Sequence, residues 1–123
     1  MENWDLIIIG AGAAGLSAGI YAARSGLKTL IIDEKMAGGT TADAPTVENY
    51  PGFAQISGSE LAEKMTAHCR KTGVTINEIE TVTTMDLNDE KKIVKTNRAE
   101  HQAKAVIIAT GAHNSQNGVT GEK

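Results

Sequence analysis

The chain has 123 residues, of which 41% are hydrophobic and 22% charged, a balance that supports one buried core and argues against disorder. Its formal net charge is −3 at pH 7 and its aromatic content 3%, so neither a basic face for nucleic acid or an anionic membrane nor a stacking platform for single strands is expected. A single cysteine, Cys69, excludes an internal disulfide, a zinc cluster and a CxxC pair within these residues, and fits a reducing cytoplasm.

No apolar run reaches the roughly 20 residues of a membrane helix, and residues 1–5 lack the basic start of a signal peptide. Leu6-Ile7-Ile8-Ile9 is short, β-branched and unalternating, the pattern of a parallel strand buried on both faces. Glycines follow at 10, 12 and 15. Residues 16–25 are alanine-rich and stop at Gly26, which predicts a helix with a glycine terminator. Gly19 within it predicts a close approach to the sheet. Thr29-Leu30-Ile31-Ile32 forms the second strand, completing a β-α-β unit at Asp33.

Residues 34–57 read as a long loop, and loops of that length are usually functional. Ser57 followed by Glu60 is a capping box. It predicts a helix that ends at Gly73, with Leu61, Met65, His68 and Cys69 inward. Val74-Thr75-Ile76 predicts a third strand. Residues 81–87 alternate, Asn88-Asp89-Glu90 turns and residues 93–96 return, predicting a small antiparallel layer with one wet face. Residues 105–109 predict another buried strand. The expected organisation is a domain over residues 1–112 and a polar tail over 113–123.

Gly10-Ala11-Gly12-Ala13-Ala14-Gly15 is GxGxxG in the context that gives the pattern meaning, after a strand and at the start of a helix. Gly10 permits a tight turn, Gly12 lets backbone approach a pyrophosphate, and Gly15 lets the helix pack closely. The helix N-terminus offers free N–H groups and partial positive charge. Asp33 can accept the ribose hydroxyls, which disfavours a 2′-phosphate. The pattern leaves FAD and NAD open. Cys69 reads as a structural thiol, since no base or partner cysteine is placed beside it. His68, His101 and His113 are dispersed without metal spacing, and no catalytic residue is assigned.

Gly38-Gly39-Thr40, Val47-Glu48-Asn49-Tyr50-Pro51-Gly52-Phe53 and Ala109-Thr110-Gly111-Ala112, in this order, resemble the FAD half of thioredoxin reductases from Asp5 to Glu122. The resemblance implies a Rossmann-like α/β unit: a parallel sheet with flanking helices and a small antiparallel β layer. It implies that residues 10–15, Ala13 and Ala14 included, hold the FAD pyrophosphate. Asp33, with Glu34 beside it, would bind the adenosine ribose. Gly39 and Thr40 would line the flavin or pyrophosphate, Asn49 would face the flavin side, Val82 would meet adenine through backbone, and Ala109, Thr110 and Gly111 would pass close to the cofactor. Asp33 replaces the family's usual Glu, Thr40 its usual Gln and Ala13 its usual Pro, so a flavin hydrogen bond at Thr40 does not carry over.

Complete members of the resembled family continue with an NADPH domain carrying CxxC and return to the flavin domain. The chain is therefore expected to be truncated relative to them and inactive alone. The implied parent activity passes electrons from NADPH or another donor through FAD to the disulfide of a thioredoxin-like protein. The alternatives are a ferredoxin/NADP reductase of the same flavin fold and a non-catalytic FAD- or ADP-binding module. With the returning segment absent, the strand at 105–109 is expected to present a bare edge and drive self-association.

Overall fold

The computed structural model describes residues 1–110. The chain runs β1 (Glu2–Ile9), α1 (Ala13–Arg24), β2 (Thr29–Ile32), a short 3₁₀ helix (Gly39–Asp43), α2 (Gly58–Lys71), β3 (Thr75–Asn77), β4 (Val82–Asp86), β5 (Lys92–Thr96) and β6 (Glu100–Ile108). One six-stranded sheet has the order β3-β2-β1-β6-β5-β4. Strands β3, β2, β1 and β6 are parallel neighbours, and β6-β5-β4 continue antiparallel.

The antiparallel segment is joined to the parallel strands by a continuous ladder, and as the expected small layer it packs over one of their faces. Strand β6 is long enough to serve both parts: its start pairs with β5, Glu100 opposite Lys95 and Ala103 opposite Lys92, while its length from His101 to Ile108 pairs with β1. The same ladder draws β1 back to Glu2, four residues before its apolar run. Glu2, Asn3 and Trp4 lie opposite His101, Gln102 and Ala103, so pairing rather than hydrophobicity makes these residues a strand.

Alternate residues of β1 and β2 feed two cores, as the two-residue strand period requires. Leu6, Ile8 and Ile31 pack with Leu16 and Ala22 of α1 and Cys69 of α2. Ile7, Ile9, Leu30 and Ile32 pack with Val94, Ala103, Val82 and Met85. Both helices thus lie against one face, and residues of β4, β5 and β6 cover the opposite face, the expected combination of flanking helices and an antiparallel layer.

Helix α1 begins at Ala13 rather than Leu16, because the glycine loop itself forms the first turn. At Gly19 a Cβ would come within 2.9 Å of Ile31 Cδ1 and 3.1 Å of Cys69 Sγ, so the missing side chain lets α1 approach both β2 and α2. Ser57 caps α2, its hydroxyl accepting from the Glu60 N–H at 3.2 Å. The inner face of α2 runs through Leu61, Ala62, Thr66 and Cys69, with Met65 half-buried. His68 is exposed, one helical position outside that stripe. Strand β3 is displaced by one residue from its expected start. The long loop gains structure from the 3₁₀ helix and from a bridge in which Val47 and Ile56 exchange backbone hydrogen bonds of 2.6 and 3.0 Å.

The end of β6 departs from the expected burial. Ala105 is exposed, Val106 half-buried, and Ile107 and Ile108 are 41% and 38% exposed. Pairing with β5 stops at Ala103, so residues 104–108 have β1 as their neighbour on one side and none on the other among the described residues. The tail expected over 113–123 lies outside the described residues.

Candidate functional site

Three strand ends meet at Gly10. Its N–H donates to the Ile32 carbonyl at 2.8 Å, and the Ala109 N–H donates to the Ile9 carbonyl at 2.7 Å. Gly10 has φ +116°, and a Cβ there would overlap the Ala109 carbonyl oxygen. Both the dihedral and the space require glycine. A Cβ on Gly15 would overlap the Gly10 carbonyl oxygen, so Gly15 seats the first turn of α1 directly on the glycine loop.

Gly12 is different in kind. It is the N-cap of α1 with φ −81° and ψ −169°, extended backbone open to any residue, and it supplies no side-chain cap. A Cβ there would meet only Gly39 Cα, at 3.8 Å. Packing does not demand glycine at this position; it leaves an open backbone surface at a helix N-terminus. The first turn carries no acidic residue, and Ala13 and Ala14 are exposed. Unsatisfied N–H groups and the positive end of the helix dipole there suit an anion.

The facing wall comes from residues 33–39. The Gly38 N–H donates to the Ala11 carbonyl at 2.7 Å, and a Cβ on Gly39 would lie 2.9 Å from Gly12 Cα. The two glycine segments therefore touch backbone to backbone. Asp33 ends β2 and binds across the same gap: Oδ2 accepts from the Ala11 N–H at 2.7 Å, and Oδ1 accepts from the Lys35 N–H at 2.8 Å. Each carboxylate oxygen thus spends one lone pair on the loop and keeps another for a ligand hydroxyl.

Gly10, Gly12, Ala13, Ala14, Gly15, Asp33, Gly39, Ala109 and Thr110 thus lie together where the glycine loop meets residues 33–39 and the end of β6, with Glu34 exposed beside Asp33. Thr40 lies in the 3₁₀ helix. Asn49 is exposed in the loop between Val47 and Ile56. Val82 opens β4: its side chain packs against the core formed with Ile7 and Ile9, and its backbone pairs with Thr96. Gly111 lies outside the described residues. Of the residues that hold the two segments together, Ala11 and Gly38 fall within the glycine motifs, whereas Glu78 carries no signal in the sequence.

The Cys69 side chain is fully buried, and that burial pushes its thiol up to about 11 against a smaller lowering effect of Arg70. It is a packing thiol. His101 is buried and bonded, its Nε2 lying 2.8 Å from Glu80 Oε2. Glu80 also accepts from the Thr96 hydroxyl at 2.7 Å and the Asn77 amide at 3.1 Å. Burial alone would raise the Glu80 pKa, but these donors, His101 first, outweigh it and hold the carboxyl below its ordinary value. No group of three or more metal-ligating side chains occurs among the described residues.

The family model described as pyridine nucleotide-disulphide oxidoreductase matches residues 4–123. A 34.2 kDa protein in the rubredoxin operon of Clostridium pasteurianum is 46% identical over 90% of this chain and 36% of its own length. The thioredoxin reductase of Bacillus subtilis is 45% identical over 98% of this chain and 38% of its own length. The crystal structure of T. acidophilum thioredoxin reductase superposes with a TM-score of 0.87 at 44% identity, covering 99% of this chain and 40% of that one. The chain spans well under half the length of each of these proteins.

Proposed function

We propose, because the chain belongs to the pyridine nucleotide-disulphide oxidoreductase family, that its double-glycine groove binds the ADP half of FAD. Residues 10–15 would take the pyrophosphate on the N–H groups of the α1 start, Asp33 with Glu34 the ribose hydroxyls, and Gly39 and Thr40 the opposite side. Asn49, Val82, Ala109, Thr110 and Gly111 would line the remainder. The observation that carries this reading is Gly12: it has no packing reason to be glycine, yet it sits uncapped at the helix N-terminus between Gly39 and Asp33. Asp33, already held by two N–H donors, favours a free ribose over one bearing a 2′-phosphate.

FAD, when bound, supplies the redox chemistry. The residues of this chain bind and orient it, and among the described residues we assign none as acid, base or nucleophile. For the longer protein to which such a domain belongs, we propose electron transfer from NADPH or another reduced donor through FAD to the disulfide of a thioredoxin-like protein, in the cytoplasm. No helix among the described residues is long and apolar enough to cross a membrane. We further propose that the side of residues 104–108 that has no strand neighbour among the described residues mediates association between copies of the chain.

Competition separates the alternatives. ADP should displace FAD with similar affinity, since the groove's contacts are to the ADP half, whereas riboflavin should bind weakly. Binding of riboflavin without binding of ADP would overturn the assignment of residues 10–15.

A further inference from the structure

The groove's outer wall is a strap, residues 33–39, and besides the bond from the Ala11 N–H to the Asp33 carboxylate five hydrogen bonds fix its course. The Asp33 N–H donates to the Asn77 carbonyl at 3.0 Å, the Glu80 N–H to the Asp33 carbonyl at 2.9 Å, and the Ile79 N–H to the Lys35 carbonyl at 3.3 Å. The Gly38 N–H donates to Ala11 at 2.7 Å. The remaining tie is made by a side chain: Glu78 Oε2 accepts from the Ala37 N–H at 2.6 Å, two residues before Gly39. The other oxygen of Glu78 pairs with the Arg70 guanidinium of α2 at 3.1 Å.

A conformational outlier marks the same place. Ile79 has φ +56° and is 55% exposed. A β-branched residue adopts the left-handed region only where its surroundings over-determine it. Here both its neighbours are committed to the strap, Glu78 through its carboxylate and Glu80 through its N–H, and Ile79 itself donates to Lys35. The strain therefore belongs to the construction of the groove's wall rather than to the core, which the exposed Ile79 side chain does not enter.

We propose that Glu78 is a positioning residue for the groove, and that Arg70 holds it in place and balances its charge. This rests on the ADP-binding reading above. By fixing the Ala37 N–H, Glu78 sets where Gly39 rests against Gly12, and hence the backbone surface offered to a pyrophosphate at the α1 N-terminus. Its own charge opposes an anionic ligand nearby, and the Arg70 guanidinium offsets that opposition. The requirement at position 78 is for a hydrogen-bond acceptor of the right reach, and glutamine meets it without a charge.

The test is ADP binding by calorimetry on the full chain, with amide hydrogen exchange at Ala37 and Gly38 as a readout that needs no ligand. Glu78→Ala should weaken ADP binding about tenfold, the equivalent of one charge-assisted hydrogen bond, and speed exchange at both amides. Glu78→Gln should restore affinity to within about threefold and restore protection. Arg70→Ala should weaken binding about threefold at low ionic strength, with the loss shrinking as salt is added. A merely structural Glu78 would move the melting temperature in Glu78→Ala without changing affinity in the folded protein. Wild-type affinity in folded Glu78→Ala, or a loss that Glu78→Gln does not restore, overturns the positioning role while leaving the ADP groove in place. If Glu78→Ala does not fold, salt-independent wild-type affinity in Arg70→Ala overturns it. A wild-type chain that binds neither ADP nor FAD removes the groove reading and this assignment with it.

Discussion

Replacing Gly12 by alanine separates a ligand site from a folding requirement, because the structure predicts opposite effects on the two. The residue's dihedrals, φ −81° and ψ −169°, are open to alanine, and the new methyl would have one neighbour, Gly39 Cα, at an ordinary 3.8 Å. Glycine is the better N-cap by up to about 1 kcal/mol. Against that, alanine narrows the unfolded ensemble and returns roughly 0.4–1 kcal/mol. Stability should therefore change little. The methyl, however, would stand on the backbone surface at the α1 N-terminus, beside Gly39, where N–H groups must come within hydrogen-bonding distance of a phosphate. Losing one charge-assisted bond of about 1.5–3 kcal/mol lowers affinity by roughly tenfold to a hundredfold. Calorimetric titration with ADP, paired with a thermal melt without ligand, reads both quantities. Gly15→Ala is the contrasting control: its Cβ would overlap the Gly10 carbonyl oxygen, so it should lower stability by about 3 kcal/mol or more. A folded Gly12→Ala chain with unchanged ADP affinity would refute the phosphate assignment.

Glu80 makes stability depend on acid. Its folded pKa lies below the ordinary 4.5, so the unfolded chain takes up a proton that the folded chain refuses; the stabilisation is complete above the unfolded value and is lost as pH falls through the folded one. Denaturant midpoints should fall below about pH 4.5 in the wild type and fall less in Glu80→Gln. Cys69, buried and with its pKa pushed up to about 11, should react slowly with thiol reagents near neutral pH in the folded chain and rapidly once denatured; fast reaction of the folded chain would contradict its burial. Sedimentation at micromolar concentration should show association of the wild type through residues 104–108 and a shift toward monomer in Ile107→Lys, since Ile107 is 41% exposed beside an unpaired ladder side; identical monomers for both would end that reading.

The β-α-β unit and the groove's inner wall were legible because their signals are local. An apolar run, glycines at fixed spacing and an acid at the next strand end all fall within residues 6–33 and determine neighbouring backbone. The outer wall was not legible, since its key bond joins Ala37 to Glu78 across 41 positions, and a polar residue after a short strand gives no hint of its partner. The same limit applies to the hairpin. Alternation identified β4 and β5, but whether they form a layer or extend the sheet is decided by β6, whose first residues, Glu100 to Ala103, carry no apolar run and become strand only by pairing on both sides. His101 reads as a surface residue by type and is buried because Glu80 meets it. At residues 105–109 the β-branched run by itself reads as buried, whereas the expectation of a bare edge agrees with the exposure of Ile107 and Ile108 where β5 stops pairing.

The phosphates of the ligand are assigned to the backbone surface at the α1 N-terminus, where the two glycine segments meet. Titration of isotopically labelled chain with ADP, followed by amide chemical shifts, tests it most directly. The account predicts that the largest shifts fall on Gly10, Ala11, Gly12, Ala13, Ala14, Gly15, Lys35, Gly38 and Gly39, with the α2 and β5 amides nearly still. Saturable ADP binding whose largest shifts lie elsewhere, or no shift at any of these amides at millimolar ADP, would contradict it.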